Sequence, residues 1–189
     1  DDTTGSALTE LLSSGVLIEE PGKPPGPTDR IFFAHNILFD YAIARVWVRD
    51  LPNDIVDALA SSHNHDLLIV IRPSLAMAFR RLWHQADEDN RKSFWARAID
   101  IQKAPTMRIV GKIIAGSVAA DEFRIVNDIS YLISLLRDAT SKDNALHLLR
   151  HFVTAALSRR RTEPDSYPFA GPDSHDWMGV ADALSRDMN

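Results

Sequence analysis

The side chain best placed to do chemistry in this sequence is His35, in the phrase IFFAHNILFDYAIARVW, residues 31–47. Phe32 and Phe33 belong to a short extended segment. Asn36 is a plausible N-cap, and Ile37, Tyr41, Ala44 and Val48 then recur at spacings of four, three and four, the mark of an amphipathic helix. His35 therefore lies beside a helix N-terminus. Free backbone N–H groups and the positive end of the helix dipole favour a phosphate there, and an imidazole can donate a hydrogen bond to it. The bland alternative is a packed or capping histidine in an ordinary fold.

Other constellations carry less chemistry. His147 and His151 stand four apart on a predicted helix, a spacing that can seat zinc, yet no third ligand and no HExxH glutamate accompany them. His63, His65 and Asp66 fall at a break between helices, where polar residues are expected anyway. No metal site is expected. The segment GKIIAGS, Gly111 to Ser117, has two glycines five apart, but a phosphate loop needs Gly-Lys-Ser/Thr after the spacer and a strand before it. Small residues that let two helices approach closely are the expected reading. The basic run Arg159, Arg160 and Arg161 closes a helix and complements its dipole, with a phosphate contact as the second reading. Asp87, Glu88 and Asp89 read as a helix start, and no GxSxG, paired-carboxylate or Ser/His/Asp pattern stands out, so no catalytic residue is expected. Trp47, Trp83, Trp95 and Trp177 are expected as core anchors rather than a base-stacking platform.

The elements that position His35 follow from the local pattern. Ser6 to Ser14 reads as a helix with Ala7, Leu8, Leu11 and Leu12 on one face, stopped at Gly15, and Val16 to Glu19 as a strand. PGKPPGPTDR, residues 21–30, holds four of the ten prolines and two of the eight glycines and must be a loop. Arg30 to Ala34 is the second strand. Helix, strand, proline-rich wing, strand, helix is the order of the C-terminal half of a winged helix, which gives residues 1–50 as a winged-helix portion.

After about Asp50 the periodicity turns helical, with helices expected at 53–61, 64–71, 74–86, 88–103, 106–118, 121–139 and 142–159. Pro52, Pro73 and Pro105 fall near the starts, where proline is tolerated. Residues 51–160 are thus an α-helical array, an α-solenoid or an irregular bundle, without a sequence repeat to fix the type. Residues 161–189 are a polar linker and a last helix, Ser174 to Met188, free to dock elsewhere. The fold class is mainly α, a partial winged helix followed by a helical array.

Composition bounds the function. The 189 residues are 45% hydrophobic and 25% charged, the balance of a globular protein, and a net charge of −5 argues against a chain built to coat nucleic acid. The absence of cysteine excludes disulfides and thiolate sites and fits a reducing compartment, so the cytoplasm is expected. No apolar run of about 18 residues and no signal peptide is seen. The chain lacks an initiator methionine and opens on DDTTGSALTELL, so it is expected to be a piece of a longer protein.

Phe33, His35, Asp40, Tyr41, Ala42 and Ala44 stand in an order that resembles a phrase in the winged-helix domains of STAND-class regulatory NTPases, the group that includes NACHT and NB-ARC proteins and many bacterial antiphage sensors. ALTELLSSGVLIEE is similar to the helix and strand before that phrase, and the array to the region after it. The resemblance implies that His35 reaches the β-phosphate of bound ADP and holds the protein closed, the ADP or ATP being held by an upstream NTPase domain. This chain contains neither the phosphate loop nor the magnesium-binding acid of that domain. It implies a protein partner, with oligomers in the full-length protein. Two alternatives remain: a helical-repeat interaction scaffold with a purely structural winged helix, and a DNA-binding winged helix with Lys23 and Arg30 on phosphates, which the net acidity disfavours.

Overall fold

The computed structural model describes residues 2–20, 30–49, 53–60, 65–85, 91–159, 178–182 and 185. Helix α1, Asp2–Ser13, ends as its glycine dictates: Gly15 takes φ 73°, Val16 N–H donates back to Leu11 O at 3.0 Å, and Gly15 N–H to Leu12 O at 3.1 Å. The turn feeds β1, Leu17–Glu20, which pairs antiparallel with β2, Arg30–Phe33, in the register Leu17 to Phe33, Ile18 to Phe32, Glu19 to Ile31 and Glu20 to Arg30. Residues 21–29, the expected wing, lie outside the described residues.

Helix α2, Asn36–Ala42, runs directly into a π-helical turn, Ile43–Trp47, closed by Val48 N–H on Ile43 O at 2.9 Å. The expected apolar stripe is corrected here. Ile37 and Tyr41 are exposed, and the inward face is instead Asp40, Ala44 and Val48, each four residues on from the last. An α-helix drifts by about 40° over four residues, and the wider π turn offsets part of that drift, so Val48 stays over Ala44 and is fully buried.

The array follows: α3, Asn53–Ala60; α4, His65–Val70; α5, Arg72–Gln85; α6, Lys92–Lys103; α7, Ile109–Glu122; α8, Ser130–Leu136; and α9, Lys142–Arg159. The molecule is thus mainly helical, with a small two-stranded sheet ahead of a helical array. Its core is one continuous cluster built around rings from four segments: Trp83 and Phe94 meet edge to face at 4.9 Å, as do Phe94 and Trp95, while Phe152 meets both Trp95 and Phe123. Such pairs add about 0.5–1.5 kcal/mol each beyond their buried area. Helices α7 and α9 make the most extensive contact.

The single helix expected over 121–139 is broken. Helix α7 ends at Glu122, Phe123 turns extended at ψ 133°, and a 3₁₀ turn, Val126–Ile129, precedes α8. The cause is Asp128, buried to 5% exposure, whose Oδ2 accepts from the N–H groups of Arg124 at 3.0 Å and Ile125 at 3.2 Å. Arg91 Nε completes the site on Oδ1 at 3.0 Å, its Nη1 donates to the Trp83 carbonyl at 2.8 Å, and the Trp95 indole donates to the Asp128 carbonyl at 2.7 Å. A carboxylate that captures amides from the N3 position starts a new turn rather than continuing an old one. Residues 178–182 correct the expectation of a helix docked elsewhere. Val180 is buried in the array's cluster, and Gly179 lies so close to Val126 that a Cβ there would meet its Cγ2 at 2.5 Å.

Candidate functional site

At the strand-to-helix joint, the residue that caps α2 is His35 itself, at φ −134° and ψ 137°, not Asn36. Its carbonyl accepts from Leu38 N–H at 3.0 Å and Phe39 N–H at 3.4 Å, so the first amides of the helix, those of Asn36 and Ile37, have no acceptor within it. The imidazole makes no capping bond and is exposed, and among the described residues no hydrogen bond reaches it. The hairpin sets its position: Phe33, one end of β2, packs edge to face on Phe39 of α2 at 6.0 Å. What this arrangement offers is an imidazole donor beside two helix-end amides on an open surface, suited to holding an anion presented by another body.

Asp40, one turn and a half further on, faces inward. Ser74 Oγ of α5 donates to its Oδ1 at 3.0 Å, and Ser74 is fully buried. Tyr41, next to it, is 56% exposed and Ile37 64% exposed, so the outer side of α2 is apolar and uncovered among the described residues.

The other sequence candidates fall elsewhere. His147 is exposed and His151 half-buried on α9, and among the described residues no group of three or more His, Asp or Glu is placed to hold a metal ion. Burial, then the neighbouring His147 and Lys112, hold the His151 imidazole below its ordinary pKa, a setting that favours the neutral ring but places a cation beside it. Gly111 to Ser117 is part of α7, and Gly116 is the close-approach residue: a Cβ there would lie 2.8 Å from Phe152 N of α9. His63, Asp87, Glu88, Asp89, Arg160, Arg161, Trp177 and Lys23 lie outside the described residues, as do the side chains of His65 and Arg159. Asp66 and Arg30 are exposed. Trp83 and Trp95 are core anchors as expected, but Trp47 is 37% exposed.

Sequence reasoning missed the Asp40–Ser74 bond, the Arg91–Asp128 site, and Arg81, whose Nε and Nη1 are buried without an acceptor among the described residues. It also missed a cavity of about 320 Å³ lined by Val56, Asp57, Asp100, Lys103, Ala104 and Pro105. The Asp40–Ser74 and Arg91–Asp128 bonds join side chains 34 and 37 residues apart, and no local pattern reports such a pairing. Among the described residues no helix is long and apolar enough to cross a membrane. No family model, no curated protein and no solved structure matches this chain.

Proposed function

We propose that this chain is a regulatory segment of a STAND-class signalling NTPase, in which His35 senses the nucleotide held by a neighbouring module and the helical array receives or relays a protein signal. The observation that carries the reading is the His35 ring, which stands exposed at the start of α2 and makes no hydrogen bond among the described residues. A ring sealed in apolar packing would have no route to a shared cleft. The identity of the ligand, ADP in the closed state, comes from the resemblance of the phrase around His35, and the nucleotide is bound by the upstream NTPase domain rather than by this chain.

The mechanism is differential binding. A hydrogen bond to a charged phosphate contributes on the order of 1.5–3 kcal/mol, and present in one conformer alone it biases that conformer roughly 10 to 150-fold. The contact stabilises a state and catalyses nothing. In the full-length protein His35→Ala is expected to speed ADP release and raise basal activity, whereas His35→Gln, which keeps a donor, retains part of the effect. An unchanged ADP release rate in His35→Ala refutes the sensor; if a protein partner is still bound, the chain is an interaction scaffold with a structural winged helix.

A further inference from the structure

We propose that the Ser74–Asp40 hydrogen bond makes these two residues positioning residues for His35, so that a shift of α5 within the array is passed through α2 to the sensing ring. For its functional consequence this rests on the sensor reading; the mechanical coupling itself does not.

Three features place the linkage. First, α2 and its π turn both pack on α5. The face they present is Asp40, Ala44 and Val48, with Ala44 and Val48 at 6% and 0% exposure. Second, the polar contact in that seam is buried on one side: Ser74 is fully enclosed, and its hydroxyl donates to the Asp40 carboxylate at 3.0 Å. A charged acceptor in such a place gives a directional bond that a sliding apolar contact lacks. Third, the two ends of α2 differ in their hydrogen bonding. Its C-terminal side continues into an i to i+5 turn, a geometry found mostly as single turns and often at functional sites, while at its N-terminal side the Phe39 bond to the His35 carbonyl is stretched to 3.4 Å.

Asp40 is five residues from His35, about 7.5 Å along the axis. The helix segment is short, so the backbone of His35, held on its other side by Phe33 against Phe39, follows a displacement of the anchor at Asp40. On the other side of the seam, α5 is fixed in the array by the buried Phe79 and Trp83 and by Arg80, which reaches Asp121 of α7 at 2.7 Å. Whatever displaces α5 in the array therefore acts on Ser74.

The 189-residue chain tests the coupling without any nucleotide. In Ser74→Ala the His35 ring resonances are expected to shift, and the Leu38 and Phe39 amides to exchange about tenfold faster. Asp40→Asn, whose amide oxygen still accepts from Ser74, is expected to stay close to the parent. Unmoved His35 signals in a folded Ser74→Ala, with loosening confined to α5, overturn the proposal. Should Ser74→Ala fail to fold, Asp40→Ala gives the reverse measurement. Faster exchange at Leu75 and Phe79 with the rest of the array protected supports the coupling, and an unaltered α5 overturns it. In the full-length protein Ser74→Ala is expected to speed ADP release in the same direction as His35→Ala. If His35→Ala acts and Ser74→Ala does not, the coupling fails and the sensor stands; if the resonances move but His35→Ala leaves ADP release unchanged, the sensor fails and the coupling stands.

Discussion

Replacing Gly116 by alanine tests the packing on which the array depends. An added Cβ would lie 2.8 Å from His151 Cβ, 2.8 Å from Phe152 N and 2.9 Å from His151 C. Ordinary contact distance is about 3.5–4.0 Å, so α7 and α9 must part by about 0.6–1.2 Å. Two of those three atoms belong to helix backbone and cannot swing aside. Overpacking of this kind costs about 1–3 kcal/mol, and the gap opened along Ile114, Ala115 and Val118 forfeits further dispersion contact. Against this stands a gain of about 1 kcal/mol in helix propensity. The net expectation is a loss of about 1–2 kcal/mol, read as a lower urea midpoint and a melting temperature about 2–8 °C lower for a domain of this size. Gly111→Ala is the matched comparison on the same helix. Its Cβ would meet Met107 Sδ at 2.6 Å and Cγ at 3.1 Å, a flexible thioether that can turn away, so stability should change by less than about 1 kcal/mol. A Gly116→Ala protein at least as stable as the parent would refute the close-approach argument.

Asp128→Ala is expected to lose about 3 kcal/mol, more than Arg91→Ala, because it strands three donors, Arg91 Nε and the Arg124 and Ile125 amides, rather than two acceptors, Asp128 Oδ1 and the Trp83 carbonyl; chemical denaturation of both variants checks the order. Arg81→Met removes two buried donors without an acceptor among the described residues and should raise stability by about 1 kcal/mol in the same assay. The His151 imidazole is held below its unfolded value of 6.5, so as pH falls the unfolded chain takes up its proton first. Stability should therefore be flat above about pH 6.5 and decline below it until the folded-state value is passed, and His151→Gln should lose that part of the slope in urea midpoints measured against pH.

How much of this was legible depends on whether a pattern is local. Helix α9 lies at 142–159, as its periodicity predicts, and the stops at Gly15 and the two strands fall within a residue of expectation, since caps and alternation are written in neighbouring side chains. The stretch 121–139 misled because apolar residues keep spacings of four and three across the turn, although Ile125 is exposed and Ile129 and Leu132 are buried. Ile125, Ile129 and Leu132 therefore read as one stripe across a real break. The sign that was available is Asp128, an acid three residues past Ile125 and placed to capture its amide. At the candidate site, the joint and its histidine were legible, but not which side of α2 faces inward. Ile37 and Tyr41 are the more hydrophobic pair, yet Asp40 is turned in by a serine 34 residues away, a choice made by tertiary contact alone.

The uneven placement of the tryptophans equips the molecule with its own optical probes. Trp83 and Trp95, 6.0 Å apart and sealed from water, emit from the interior, while Trp47 at the end of the π turn meets solvent. With Trp177 replaced by phenylalanine, iodide should quench the red-emitting pool and spare the blue one. A change at the π turn that follows α2 can then be followed by fluorescence while the array stays intact, separating local rearrangement from global melting within one cuvette.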